Sequence, residues 1–195
     1  MDPRPPVGPN DIRSVTEPAI LRTARLVLEP VGPHMAGGIW EATRASLPEL
    51  DPWLPWARTA SLDQTRTFAD DAVRNWAEGT DHVFGILVDG QVVGTIGLHT
   101  PRATRSIGEV GYWIRTDRTG HGYVTEAGGA VVRFGFDVLA LTRLELRAGV
   151  DNLPSQRVAE RLGFRQEGRL RRGCPHPDGG YDCFLYGLLP EDVPR

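Results

Sequence analysis

The sequence predicts one layered domain of the α/β (α+β) class built on a mixed sheet. Short runs with period-two apolar alternation fall in hairpin-like groups, and runs with helical spacing interrupt them. In the resulting order, β-α-α-β-β-β-α-β-α-β-β, the helices break up a run of hairpins, which makes the sheet mixed. The chain has 195 residues, 40% apolar and 24% charged, enough to bury one core.

Residues 1–18 are rich in Pro, Gly and charge and read as a flexible arm, so the domain is expected over 19–195. "ARLVLEP" is a strand with Leu26 and Leu28 on one face. Pro33 opens a helical run through Met35, Ile39, Trp40 and Ala42. "SLPELDPWLPWA" holds two tryptophans and three prolines and reads as a rigid, partly apolar loop. The clearest helix is "SLDQTRTFADDAVRNWAEG". Ser61 and Gln64 form its capping box, Phe68, Ala72, Val73 and Trp76 its apolar stripe, and Gly79 its stop.

"HVFGILVDGQVVGTIGLH" is a hairpin turning at Asp89-Gly90, and "SIGEVGYWI" is a further strand. "YVTEAGGAVVRFGFDVL" is a helix whose Gly128 and Gly129 permit close packing. "RLELRAGV" is a strand. Pro154 starts a helix through Val158, Ala159 and Leu162 that Gly163 ends. "FRQEGRLRRG" and "YDCFLYGLL" are closing strands joined at "PDGG".

A formal net charge of −3 gives no whole-chain field for nucleic acid or an anionic membrane. Cys174 and Cys183 have neither zinc spacing nor the number a disulfide framework needs, so two reduced thiols and no metal are expected. The N-terminus lacks an apolar signal core, and no apolar run nears the roughly 20 residues that span a bilayer. These readings predict a cytoplasmic protein.

The chemistry concentrates in "DRTGHGYVTEA", Asp117 to Ala127, between a strand and a helix. A helix N-terminus presents unpaired N–H groups and partial positive charge, and glycines let a phosphate approach without a Cβ in the way. Gly120-His121-Gly122 therefore suits a phosphate cradle; it equally suits a tight turn with no ligand. A Rossmann fingerprint would need a third glycine where Thr125 stands, and a Walker loop would need Gly-Lys-Ser/Thr.

"GYWIRTDRTGHGYVTEA" resembles the acyl-CoA pyrophosphate loop of the GNAT superfamily of N-acyltransferases. "DNLPSQRVAERLGF" resembles its second signature, carried here by Asn152, Ser155, Val158, Glu160, Arg161, Leu162, Gly163 and Phe164. "LRTARLVLEP", "DPWLPWA", "EGRLRRG" and "DGGYDCFLYGLL" are similar to the RimJ/RimL branch, which acetylates protein N-termini; the likeness covers residues 20 to 190 or so. The branch usually has Arg-Gly-x-Gly-Tyr-Ala in the loop. This chain has Thr119 at the arginine's place, Arg118 one position early, and Val124 for the small residue.

The resemblance implies a single GNAT-like domain using acetyl-CoA or another acyl-CoA as co-substrate, with dimers common in the branch. It implies pantetheine beside Tyr112, Trp113 and Ile114, and pyrophosphate at Thr119, Gly120, His121, Gly122, Tyr123 and Val124. Asn152 would bond the pantetheine arm, and Ser155 would stand near the thioester sulfur; helix capping suits both residues as well. Glu109 is the first choice for general base, against a solvated strand carboxylate. His99 is the second, against a buried, hydrogen-bonded histidine. The glutamate of the penultimate strand proposed as base in some RimL-type enzymes is replaced near Cys174, which admits a covalent route beside direct transfer.

The acceptor pocket of this fold would fall at Trp53, Leu54 and Trp56, which also suit core packing. Alternation puts Arg169 and Arg171 on one strand face, either solvated or holding an acidic acceptor or a succinyl carboxylate. An α-amine titrates near about 7.7–8.0 and a lysine near about 10.4, so a weak base serves a peptide N-terminus better than a lysine. The expected function is N-acyl transfer to a primary amine, a protein N-terminus or a small amine. Succinyl transfer and a non-catalytic CoA sensor are the alternatives.

Overall fold

The computed structural model describes residues 18–100 and 106–194, so nearly all of the expected arm lies outside the described residues. A short β1 (Leu21–Arg22) pairs with β2 (Val27–Pro30). The chain then runs through α1 (Ala36–Arg44), α2 (Leu47–Leu50) and α3 (Leu62–Glu78). Strands β3 (Asp81–Val88), β4 (Gln91–His99) and β5 (Ile107–Ile114) form a meander. Helix α4 (Tyr123–Arg133), prolonged by a π-helical turn over Phe134–Val138, leads to β6 (Arg143–Gly149). Helix α5 (Leu153–Arg161) leads to the hairpin of β7 (Arg165–Cys174) and β8 (Tyr181–Leu188).

The eight strands make one sheet in the order β1-β2-β3-β4-β5-β6-β8-β7. Every neighbouring pair is antiparallel except β5 and β6, which α4 connects as a crossover. One face packs on α4 and α5 through Phe84, Ile86, Ile96, Leu98, Val131, Leu144 and Leu146. The other packs on α1 and α3 through Met35, Ile39, Ala42, Ala69, Ala72 and Trp113. Coverage on both faces explains why β4 is buried without a break from Val93 to Leu98.

Local chemistry sets the boundaries. Ser61 Oγ accepts the Gln64 amide at the start of α3, and Gly79, at φ 67°, closes the helix in the left-handed region. Asp89 and Gly90 both have positive φ, as the two-residue β3–β4 turn requires.

Three expectations change. Leu47–Leu50 is a helical turn rather than loop, because Pro48 falls in the first turn, where a missing N–H costs nothing. The buried face of α3 is Thr65, Ala69, Ala72 and Trp76. Phe68 and Val73 are exposed, so the stripe read from the sequence is rotated by part of a turn. Alternation along β7 breaks at a register shift between Leu170 and Cys174, where Arg172 takes φ 51°.

The feature that positions the site is an opening in the sheet. Strands β5 and β6 pair over three residues only, Ile107–Glu109 against Arg143–Glu145. From Val110 onward β5 keeps β4 on one side and has no strand partner on the other, while β6 continues along β8.

Candidate active site

The residues beside the opening are Tyr112, Trp113 and Ile114, whose free strand edge can pair with an extended ligand carrying amides. Across the gap stands the N-terminus of α5. Asn152 Oδ1 accepts the Ser155 amide at 3.1 Å and so caps the helix. Tyr112 Oη lies 2.8 Å from Ser155 Oγ, and its hydroxyl also reaches the Ser155 carbonyl at 3.3 Å. Burial pushes the Tyr112 phenol up to about 12 against the opposing effect of the Ser155 bond, so it holds its proton at neutral pH.

The glycine turn continues from β5. Gly120 and Gly122 both have φ 78°, and Gly122 is the N-cap of α4 with no side chain capping the helix. The amides of Tyr123, Val124 and Thr125 therefore have no acceptor within the helix. Thr119 Oγ1 turns back onto the Thr116 carbonyl, and the rings of His121 and Tyr123 stack 5.5 Å apart. Arg25 braces this turn: its Nη1 donates to the His121 carbonyl and its guanidinium lies over the Tyr123 ring. Glu126 in turn holds Arg25 and Thr23. Burial opposes charge on Glu126, but these hydrogen bonds outweigh it and keep the carboxyl below the usual carboxylate range. Arg118 Nε is buried without a partner among the described residues, a cationic donor close to the turn.

A cavity of about 680 Å³ opens on the α1/α3 side of β4 and β5. Its apolar lining includes Ile39, Leu54, Trp56, Phe68 and Trp113; its ionisable lining is Asp81, His99, Glu109 and Tyr112. Strand register builds the floor. Asp81, His99 and Glu109 are directly opposite one another on β3, β4 and β5, and the next row on that face pairs Gly97 with Gly111. A Cβ at Gly111 would meet nothing within 4 Å, so the floor is open there, whereas at Gly97 it would crowd the His82 carbonyl and Val83.

The sequence-predicted residues divide accordingly. Glu109, His99, Trp56, Tyr112 and Trp113 line the cavity, while Ser155 is outside the lining and holds the Tyr112 hydroxyl on the other face of β5. His99 is not a buried histidine: its side chain is 55% exposed and Nδ1 bonds Asp81. The buried histidine is His82, which sequence reasoning missed. Trp53 is not part of the lining and packs instead edge-on against Tyr181 and over Gly149. Arg169 is engaged by Asp182, and with the β7 bulge neither it nor Arg171 lines the cavity. Cys174 is buried beside Tyr181 and Cys183, whose thiol burial and the Cys174 contact push up to about 12. It lies away from the cavity lining, where an acyl acceptor would have to stand.

Asp81 has no place in the sequence reading, and Phe68 is read there as core stripe rather than cavity lining. Their signals were the cross-strand register with His99 and a position one step off the buried face of α3. Among the described residues no group of three or more His, Cys, Asp or Glu side chains could hold a metal ion, and no helix is long and apolar enough to cross a membrane.

Residues 25–165 match the family model described as the acetyltransferase (GNAT) domain. YdaF of Bacillus subtilis (strain 168), whose provisional name is ribosomal N-acetyltransferase, is 33% identical over 145 residues, covering 73% of this chain and 79% of YdaF. The ribosomal-protein-serine acetyltransferase of Escherichia coli (strain K12) is 28% identical over 141 residues, covering 72% and 79%. Among solved structures, Mycobacterium smegmatis RimJ in complex with CoA-disulfide superposes with a TM-score of 0.83 at 25% identity, covering 93% of this chain and 91% of that one.

Proposed function

The chain belongs to the GNAT acetyltransferase family, and from that premise we propose that it moves an acetyl group from acetyl-CoA to a primary amine by direct transfer in a ternary complex. The carrying observation is the opening between β5 and β6. It runs along β5, the strand that carries Tyr112 toward Ser155 on one face, floors the cavity with Gly111 on the other, and continues into the glycine turn. One ligand can thus lie with its phosphates on the amides of Gly120–Val124 and its thioester beside the cavity.

Each step falls to a group of the chain. The free edge of β5 holds the amides of the pantetheine arm, with Asn152 and Ser155 facing it. Arg118 and the α4 N-terminus hold the pyrophosphate. Attack by a neutral amine forms the C–N bond and expels the thiolate. Ser155 Oγ–H, backed by the Tyr112 hydroxyl, gives the sulfur its proton.

The acceptor enters from the cavity, and we assign it as a peptide N-terminus, whose amine needs less help to lose its proton than a lysine does. A second reading, a small amine with an apolar body, is favoured by Ile39, Leu54, Trp56, Phe68 and Trp113 on the walls. Arg169 and Arg171, the cations the succinyl alternative called on, are not among the residues lining the cavity.

Thermal unfolding with acetyl-CoA, succinyl-CoA, CoA and NADH tests the donor site. A ligand at 100 times its Kd adds about 2.7 kcal/mol, roughly 5 to 10 °C here. A shift with acetyl-CoA but not NADH is expected; no shift with any CoA species would end the reading.

A further inference from the structure

We infer that His99, oriented by Asp81, is the group that takes the proton from the acceptor amine; this rests on the acyltransferase reading above. Part of the case is a row of side chains fixed by strand register. Asp81, His99 and Glu109 sit directly opposite one another on three adjacent strands, on the face that floors the cavity, and all three line it.

Orientation supplies the rest. His99 Nδ1 is 2.5 Å from Asp81 Oδ1, while Asn75 Nδ2 donates to Asp81 Oδ2 at 3.0 Å. An ionised carboxylate only accepts, so the Asp81 bond places the ring proton on Nδ1 and leaves Nε2 as the lone-pair nitrogen. Asn75 at the end of α3 fixes the carboxylate, which makes Asn75 and Asp81 positioning residues for the imidazole. Glu109 is differently placed. Its carboxylate faces Arg147 Nη1 at 3.8 Å, and its neighbour in register on β6 is Glu145, itself held by Arg143. Glu109 lends the cavity negative charge that draws in an ammonium group, and it has a cation of its own to answer.

The protons balance. The ammonium gives one proton to Nε2, and the neutral amine attacks the thioester carbonyl carbon. The C–N bond forms, the C–S bond breaks, and the nitrogen loses its second proton to solvent. The thiolate gains one from the Ser155 hydroxyl, which water re-protonates, and the imidazolium returns its own to solvent. One proton is released per turnover.

The ionisable side chains on the His99 face of the cavity are Asp81 and Glu109, whereas the Tyr112 hydroxyl is on the opposite face of β5 with Ser155, so the test compares variants of each carboxylate. Once an acceptor is found, kcat/KM is measured against pH for wild type, His99→Gln, His99→Ala, Asp81→Asn and Glu109→Gln, with the acetyl-CoA thermal shift recorded for each. His99→Gln is expected to fall roughly 100-fold or more and lose the rising limb of the profile, with its acetyl-CoA shift unchanged. Added imidazole should restore part of the rate to His99→Ala. Asp81→Asn should lower kcat more than it raises KM, and Glu109→Gln should keep the rising limb. Retention of the limb in His99→Gln, or its loss only in Glu109→Gln, overturns the assignment while leaving the enzyme reading intact. Absence of both an acetyl-CoA shift and turnover in the wild type removes the enzyme reading and the inference together.

Discussion

Tyr112 on β5 and Ser155 on α5 hold their hydroxyl oxygens 2.8 Å apart across the gap where β5 leaves β6. Among the described residues no strand bridges the sheet there, and the hydroxyl pair is a polar link between the two walls. With Tyr112 donating to Ser155 Oγ, the serine's own proton is free to point into the gap.

The pair should therefore act as a unit. Tyr112→Phe and Ser155→Ala are each expected to slow transfer roughly 10- to 100-fold. The double variant should be little slower than the worse single one, because either change empties the same relay. Thermal shifts with CoA should persist in all three. Rate effects that multiply in the double variant would show two independent roles.

The glycine turn makes a separate prediction with a built-in control. Gly122 has φ 78°, and an added Cβ would lie 3.6 Å from Arg25 Nη2. Gly122→Ala should cost about 1–2 kcal/mol through the left-handed backbone and should reduce the CoA-induced shift in Tm. Gly129 lies within α4, where an added Cβ meets only the Arg133 Nη1 at 3.8 Å. Gly129→Ala should stabilise by about 0.5–1 kcal/mol and keep the CoA shift. Equal loss of the shift in both variants would separate the turn from ligand binding.

Asn152 invites a similar separation. As the cap of α5 its amide oxygen accepts the Ser155 amide, so Asn152→Ala should lose about 1 kcal/mol, or roughly 2–4 °C of Tm. Asn152→Asp keeps the accepting oxygen and removes the NH2 donors. It should recover the stability but not the affinity for acyl-CoA. Recovery of both would leave Asn152 a cap and nothing more.

What the sequence disclosed follows the range of the interactions. Caps, turns and period are local, so Ser61, Gly79, Asp89-Gly90, Pro154 and Gly163 mark element ends that the structure reproduces. The glycine turn and the Asn152–Ser155 segment are contiguous motifs and were legible for the same reason. The row of Asp81, His99 and Glu109 was not, because it depends on the register of three strands; Asp81 and His99 are opposite only because the β3–β4 ladder absorbs an irregularity at Ile86/Leu87. Phe68 misled because an exposed aromatic on a helix reads like a core residue until a cavity is seen beside it. Arg169 and Arg171 are exposed, in keeping with the solvated face read as one of their alternatives, and a register shift beyond Leu170 interrupts the alternation there.

His82 gives the molecule an acid-sensitive core. Its ring is 2% exposed among Trp76, Phe84 and Phe134, with centroids 4.9 Å from Trp76 and 5.6 Å from Phe134. Neither ring nitrogen has a partner among the described residues. Burial outweighs the nearby Asp81 charge and lowers the group from 6.5 to about 4. The folded state therefore keeps His82 neutral while the unfolded chain protonates below pH 6.5. Between those values the unfolded state binds the extra proton, so stability is complete above 6.5 and is lost as pH falls toward 4. From pH 7 to pH 5 the expected loss is about 2 kcal/mol, roughly 4 to 8 °C of Tm. The depressed carboxyls Asp51, Asp117, Asp178 and Asp182, and with them Glu126 and Glu167, act in the same direction but at lower pH, below their ordinary values of 3.8 and 4.5. His82→Phe keeps an aromatic ring against Trp76 and Phe134 and has no proton to bind, so its Tm should be nearly flat from pH 7 to 5. An equally steep fall in His82→Phe would place the acid sensitivity elsewhere.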